Sequence, residues 1–174
     1  MARWPMPSGS SRINRFTKEG ITLNQTLMRM MELEYNGFYC SQILMIMVLD
    51  AQGKSNPDLI STLGGLAHGS GFSGGYCGTL TGAACLLAMY AGKGNNDEIE
   101  DDRLKYMIKD LEGWFENTFG SRYGGVTCAA IVGDQTEIRQ RCGEVVAETY
   151  QKVLEILIAS GYDITEQKPW RKAA

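Results

Sequence analysis

The stretch that decides the fold runs from Gly69 to Gly82 and reads Gly69-Ser-Gly-Phe-Ser-Gly-Gly-Tyr-Cys77-Gly-Thr-Leu-Thr-Gly82. It carries no charge and is followed at once by apolar residues, 83–90. Ordering so many glycines costs backbone entropy, which is tolerated where the backbone adopts a positive φ or approaches another group closely. We therefore expect this loop to be packed inside the protein. A helix over about Tyr76 to Ala91 should follow it, with Cys77 at the junction between loop and helix.

Glycine-rich loops also bind phosphates, but this one lacks the signals of such a site. No Gly-Lys-Ser/Thr follows it, so it is not a P-loop. Gly69, Gly71 and Gly74 have dinucleotide-type spacing. A dinucleotide site needs a preceding strand, however, and the segment 56–68 has the pattern of a helix.

Helix signals extend along the rest of the chain. The apolar run Ile43–Leu49 lies in a predicted buried helix, Phe38–Ala51, with Cys40 in its first turn. Asn56 and Pro57 are a cap and a first helical residue. Further helices are predicted over 101–119, which Gly120 should end, over 127–131 behind a Thr127 cap, and over 134–161.

These patterns predict an all-α, single-domain helical bundle of five to seven helices with a buried glycine-rich loop. Residues 1–20 are predicted to form an N-terminal arm, 21–162 the helical domain and 163–174 a C-terminal tail. Apolar residues on nearly every helix, and Trp4 and Trp170 near the two ends, suggest a homodimer.

The composition excludes several classes of function. A net charge of −3 gives no reason to expect nucleic acid binding. The longest apolar run is too short to span a bilayer, and residues 1–20 lack the apolar core of a secretory signal. We therefore expect a cytoplasmic protein with no membrane insertion, whose five cysteines are not a disulfide framework.

Four of the cysteines occupy related positions. Cys40, Cys77 and Cys128 are predicted at helix starts, where backbone N–H groups stabilise a thiolate, and Cys142 faces the core from the last helix. We expect these four to share one site. Cys85 lies about 12 Å further along the Cys77 helix, so we interpret it as core packing outside that site.

The residues alone leave the chemistry of that site open. A cluster-bearing redox protein, a metal-free thiol/disulfide protein or four-thiolate zinc protein, and a helical accessory subunit whose cysteines are merely core all fit the pattern. No catalytic residue stands out. His68 reads as a loop histidine, and it becomes a ligand candidate if Cys40 is not one.

The order and contexts of the cysteines resemble a family of redox-active proteins with one Cys, a Cys-Gly-Ala-x-x-Gly motif and two further Cys. The resemblance covers roughly Leu27 to Leu157. Two positions depart from the pattern: Thr79 replaces the motif's alanine, and three residues separate Asn36 from Cys40. The matching segments are 34–42, 74–83, 119–128 and Cys142.

The resemblance implies a small helical redox protein with an unknown redox partner, similar also to the non-haem part of split-Soret-type cytochromes. It implies a [2Fe–2S] iron–sulfur cluster held by Cys40, Cys77, Cys128 and Cys142, for electron transfer or redox sensing. Backbone N–H groups of Gly74, Gly75 and Gly78 would bond the cluster sulfurs. Zinc is the alternative metal.

Overall fold

The computed structural model describes residues 23–133 and 138–166, and in these ranges the protein is all-α, as predicted. The helices are α1 (Leu23–Tyr35), α2 (Cys40–Ala51), α3 (Pro57–Leu63), α4 (Gly78–Ala91), α5 (Leu104–Phe115), α6 (Ser121–Tyr123), α7 (Cys128–Val132) and α8 (Ile138–Ala159). A 3₁₀ turn, Gly64–Leu66, follows α3. The described residues contain no β-strand beyond one isolated bridge, Tyr76–Thr127.

Helices α2 and α4 form the centre of the bundle. Every residue of α2 from Ile43 to Leu49 is buried, as expected for a helix that is apolar on all sides. Helix α2 contacts α1, α3, α4 and α8, while α5 and α8 cover α4. Of the helices in the described ranges, none combines the length and apolarity needed to cross a membrane.

Helix α4 packs directly on α2 because Gly82 has no side chain. A Cβ atom added to Gly82 would stand 2.8 Å from the Cα of Ser41 and 2.9 Å from its Cβ. Ser41 itself is fully buried, and its hydroxyl donates a 2.8 Å hydrogen bond to the Leu63 carbonyl. The start of α2 is thereby fixed between α3 and α4.

The predicted start of α3 is confirmed, and the predicted end at Gly120 is wrong. The Asn56 side chain accepts the Leu59 N–H at 3.1 Å, with Pro57 as the first helical residue. Gly120 does not end its helix, because the chain continues through a π-helical segment, Glu116–Gly120, into α6. The left-handed residue that stops it is Gly124, with φ +76°.

The prediction of a buried glycine loop holds for Gly69 and is wrong for 70–73, which are exposed. The loop can face solvent because it satisfies its own backbone. The N–H groups of Gly71, Phe72 and Gly74 donate to carbonyls of residues 65, 67 and 68 at 2.9–3.1 Å. His68, Ser70 and Phe72 also have positive φ, a strained conformation for residues other than glycine.

The chain remains packed beyond α8. Tyr162 and Ile164 are buried, and the Tyr90 hydroxyl donates to the Ile164 carbonyl at 2.7 Å. Residues 163–166, assigned from sequence to the tail, therefore lie against the helices. The predicted arm at 1–20 with Trp4, the predicted start of the last helix at 134–137 and Trp170 lie outside the described residues, so the domain boundaries and the homodimer stay predictions.

Replacing Gly82 with alanine should destabilise the protein by about 1–3 kcal/mol, because the added methyl group overpacks the contact with Ser41. Urea unfolding measures the change. The matched control is Gly113→Ala in α5, where an added Cβ meets nothing within 4 Å and should stabilise the helix by up to about 1 kcal/mol. A Gly82→Ala protein as stable as the wild type would contradict the close α2–α4 contact.

Candidate functional site

Two glycine-containing loops run side by side and bring Cys77 next to Cys128. The Cys77 N–H donates to the Val126 carbonyl at 3.0 Å, and the Cys128 N–H donates to the Gly75 carbonyl at 2.7 Å. Thr127 caps α7 as predicted, accepting the Ala130 N–H at 3.1 Å. These reciprocal backbone bonds place Cys77, at the start of α4, beside Cys128, at the start of α7.

The Cys40 sulfur lies close to the start of α4 because Gly78 has no side chain. A Cβ atom on Gly78 would stand 3.1 Å from the Cys40 sulfur and 2.5 Å from the Leu66 carbonyl oxygen. Only glycine fits between these two atoms. The start of α2 is held by Gln42, whose side-chain oxygen accepts the Tyr39 N–H at 3.0 Å and whose amide donates to Ile60.

Helix α8 supplies the fourth cysteine. Cys142 lines a cavity of about 320 Å³ together with Cys40, Cys77 and Cys128, while Cys85 does not. Most of the remaining wall is apolar, and includes Met30, Phe38, Ile43, Ile131, Val145 and Val146. The structure thus brings together the four cysteines that the sequence singled out.

The four cavity cysteines do not form a compact site for a single metal ion. Within residues 23–133 and 138–166, no three of the cysteine, histidine, aspartate and glutamate side chains are grouped closely enough to hold one metal ion. All five cysteines are free thiols. The site is therefore a cavity of about 320 Å³ whose wall carries four free thiols.

Burial keeps these thiols neutral. It raises the pKa of Cys40 to about 11 and that of Cys142 to about 12, and neighbouring cysteines add to both effects. Burial also raises the pKa of Cys77 and of Cys128. In the metal-free protein, this preference for the neutral form stabilises the fold below pH 9 and is lost as the pH rises through 11 to 12.

Backbone N–H groups at the start of α4 lower the pKa of Cys77 as expected, but burial has the larger effect on it. Cys77 is the N-cap of α4, and the N–H groups of Thr79 and Leu80 lower its pKa, although neither makes a full capping hydrogen bond. Desolvation outweighs them, so the net pKa shift of Cys77 is upward. The sequence predicted the effect of the helix N-terminus on Cys77 but did not predict how deeply this thiol is buried.

Gly74 and Gly75 do not face the cavity, in contrast to their predicted role. Their N–H groups donate at 3.0 Å to the carbonyls of His68 and Gly69, within the loop. A Cβ on Gly69 would stand 2.4 Å from the Gly75 nitrogen, so these glycines allow the loop to close on itself. Of the three predicted cofactor-binding glycines, Gly78 alone lines the cavity.

The interpretation of Cys85 as core packing is wrong, because Cys85 is exposed. Its apolar sequence neighbours, Leu86 and Leu87, are fully buried on the other side of α4. Its predicted place outside the shared site agrees with the cavity lining.

Aromatic and charged side chains also line the cavity, and of these the sequence had singled out only His68, as an alternative ligand. Tyr39 and His68 line the cavity, with ring centroids 5.4 Å apart. Phe72 stacks on His68 at 5.2 Å. Glu34 and Arg139 also line the cavity, with a Glu34 carboxylate oxygen 3.9 Å from Arg139 Nε, and burial raises the Glu34 pKa while Arg139 opposes that shift. No sequence spacing indicated these neighbours.

Residues 38–156 match a protein-family model described as "Putative redox-active protein (C_GCAxxG_C_C)". The chain belongs to this family. No curated protein and no solved structure matches it. The match spans all four cavity cysteines, and it agrees with the resemblance drawn from the motifs.

The family's glycines now have physical roles in this chain. Its label writes the central motif as Gly-Cys-Ala-x-x-Gly, whereas the segment here, Cys77-Gly78-Thr79-Leu80-Thr81-Gly82, has the cysteine before the glycine. Gly78 admits the Cys40 sulfur, and Gly82 admits the backbone of α2. The cysteine pattern of this redox family therefore folds into a single thiol-lined cavity.

Alkylation of the reduced, metal-free protein should distinguish the thiols. Because thiolate is the reactive form, the rates at Cys40 and Cys142 should still rise about tenfold per pH unit through pH 10, below their pKa values of about 11 and 12. Mass spectrometry after quenched iodoacetamide labelling gives the rate at each cysteine. Exposed Cys85 should react fastest at pH 8, and a plateau at Cys40 by pH 9 would contradict the raised pKa.

Proposed function

We propose that Cys40, Cys77, Cys128 and Cys142 bind an iron–sulfur cluster, a [2Fe–2S] centre, and that the protein serves in electron transfer or redox sensing. The observation that carries this proposal is that four thiols from α2, α4, α7 and α8 line one cavity. The family's redox description supports it.

The donor set suits such a group. Four thiolates are the usual ligands of a [2Fe–2S] cluster, which supplies one-electron chemistry when bound. The apolar walls contributed by Ile43, Ile131 and Val146 would limit access of water to the sulfurs. The sulfurs also begin as neutral thiols, so binding would release protons and become tighter as the pH rises.

The alternatives use the same four sulfurs. A single zinc ion needs its ligands grouped about a point, and no three of the Cys, His, Asp and Glu side chains in the described residues are grouped in that way, whereas a cavity of about 320 Å³ leaves room for a larger group. Metal-free thiol/disulfide exchange needs two sulfurs in direct reach, and Cys77 and Cys128 are the pair joined by adjacent backbone bonds. Both alternatives are outcomes of the experiment below.

The test is anaerobic reconstitution of the reduced protein with iron and sulfide. We expect a brown protein with visible absorbance and with iron and sulfide bound in equal amounts. Serine at Cys40, Cys77, Cys128 or Cys142 should remove or strongly reduce the absorbance, because an alcohol is a poor cluster ligand. The matched control is Cys85→Ser, on the same helix as the motif but exposed, which should retain it.

Three results would oppose the cluster. A colourless protein that binds zinc stoichiometrically would favour the structural metal site. A colourless, metal-free protein with a Cys77–Cys128 disulfide after mild oxidation would favour thiol/disulfide chemistry. Equal tolerance of serine at all five cysteines would exclude a shared site.

We further propose a reducing, cytoplasmic setting, a redox partner protein and a homodimer. Five free thiols fit a reducing compartment. Met28, Met31 and Tyr35 leave apolar surface exposed on α1, which is a candidate for the dimer contact. Sedimentation that gives only a monomer of 19.2 kDa at micromolar concentration would exclude the dimer.

A further inference from the structure

Tyr39, His68 and Phe72 form an aromatic trio beside the thiol cavity. Tyr39 and His68 both line the cavity and are both exposed to solvent, with their rings edge to face. Phe72, which is 61% exposed, stacks on His68 at 5.2 Å and meets the Tyr39 ring edge-on at 5.6 Å. A residue that is exposed and also part of the cavity wall lies where the cavity reaches the surface. The aromatic trio therefore lies at an opening to the thiols.

The two sides of the aromatic trio are held differently. Tyr39 is fixed to the start of α2, because its N–H donates to the Gln42 side chain at 3.0 Å. The other two rings belong to the loop segment 68–73. Among the described residues, the hydrogen bonds of that segment join it only to residues 65–75. The segment can therefore move away from Tyr39 without breaking a hydrogen bond to an α-helix.

The backbone of the same segment is strained. His68, Ser70 and Phe72 have φ values of +50°, +61° and +62°, which residues other than glycine rarely adopt. Each of these residues raises the free energy of the packed loop, and that free energy is released when the segment leaves this conformation. The strain therefore favours opening, while the contacts among the three rings oppose it.

We propose that the aromatic trio is a gate, in which the segment 68–73 moves away from Tyr39 and admits small molecules from solvent to the cavity cysteines. When the gate is closed, it limits the access of oxidants and chelators to the sulfurs. For protection of a bound iron–sulfur cluster the inference rests on the proposed function. For access to the thiols it rests on the geometry of the rings and the loop alone.

The first experiment measures access to Cys40 in metal-free, reduced protein, by iodoacetamide labelling at pH 8 and mass spectrometry. Phe72→Ala removes two ring contacts, so it should speed the labelling of Cys40 about tenfold, and Phe72→Tyr should keep the wild-type rate. Exposed Cys85 is the internal reference. The matched control is Tyr106→Ala, which removes a ring that is 64% exposed on α5 and should not change the rate at Cys40.

Relief of the strain should act in the opposite direction. Ser70→Gly places at φ +61° a residue that adopts this conformation without strain, so it should slow the labelling of Cys40 about fivefold. The rates should hardly depend on urea below the unfolding transition, because a local opening exposes little surface. An unchanged rate in Phe72→Ala, or rates that rise steeply with urea, would overturn the gate. An unchanged rate in Ser70→Gly would reject the role of strain.

The second experiment uses the reconstituted protein. Loss of its visible absorbance in excess EDTA should be about tenfold faster in Phe72→Ala than in the wild type, because the chelator reaches the sulfurs through the same opening. Equal rates in the two proteins would contradict protection by the gate. If neither protein holds an iron–sulfur cluster, the proposed function is rejected, and the labelling rates at Cys40 still decide whether the gate exists.

Discussion

The contact between the start of α4 and the start of α2 is the constraint on which the site depends. It exists because two motif positions have no side chain: Gly78 leaves room for the Cys40 sulfur and the Leu66 carbonyl, and Gly82 leaves room for Ser41. Protein interiors are packed too closely to absorb an extra methyl group at such distances. The spacing of these glycines therefore sets where Cys40 lies relative to Cys77.

The second glycine loop completes the arrangement through backbone bonds. Pairing of 75–77 with 126–128 places Cys128 beside Cys77, and the short α7 then packs on α8, which carries Cys142. Each of the four cavity cysteines thus lies in a different helix or, for Cys77, directly before one. The cavity therefore forms only when these helices are packed against one another in the folded core.

Burial and hydrogen bonding oppose each other in this cavity. Desolvation raises the pKa of each of the four thiols, while Thr79, the α4 backbone N–H groups and the Ser41 N–H lower the pKa of the sulfur that each faces. The balance favours neutral thiols in the absence of a metal. A bound metal centre would have to displace those protons, which links occupancy to pH.

The sequence by itself determined the main helices and singled out the four cysteines that line the cavity. The apolar run at 43–49 specified a buried helix, and Asn56 and Thr127 specified caps, because these signals are local. Tertiary structure decided the rest. The exposure of 70–73 and of Cys85 depends on which face the packed core covers, and the approach of the Cys40 sulfur to Gly78 depends on the docking of α4 on α2. Such contacts join residues far apart in the chain, and no local spacing encodes them.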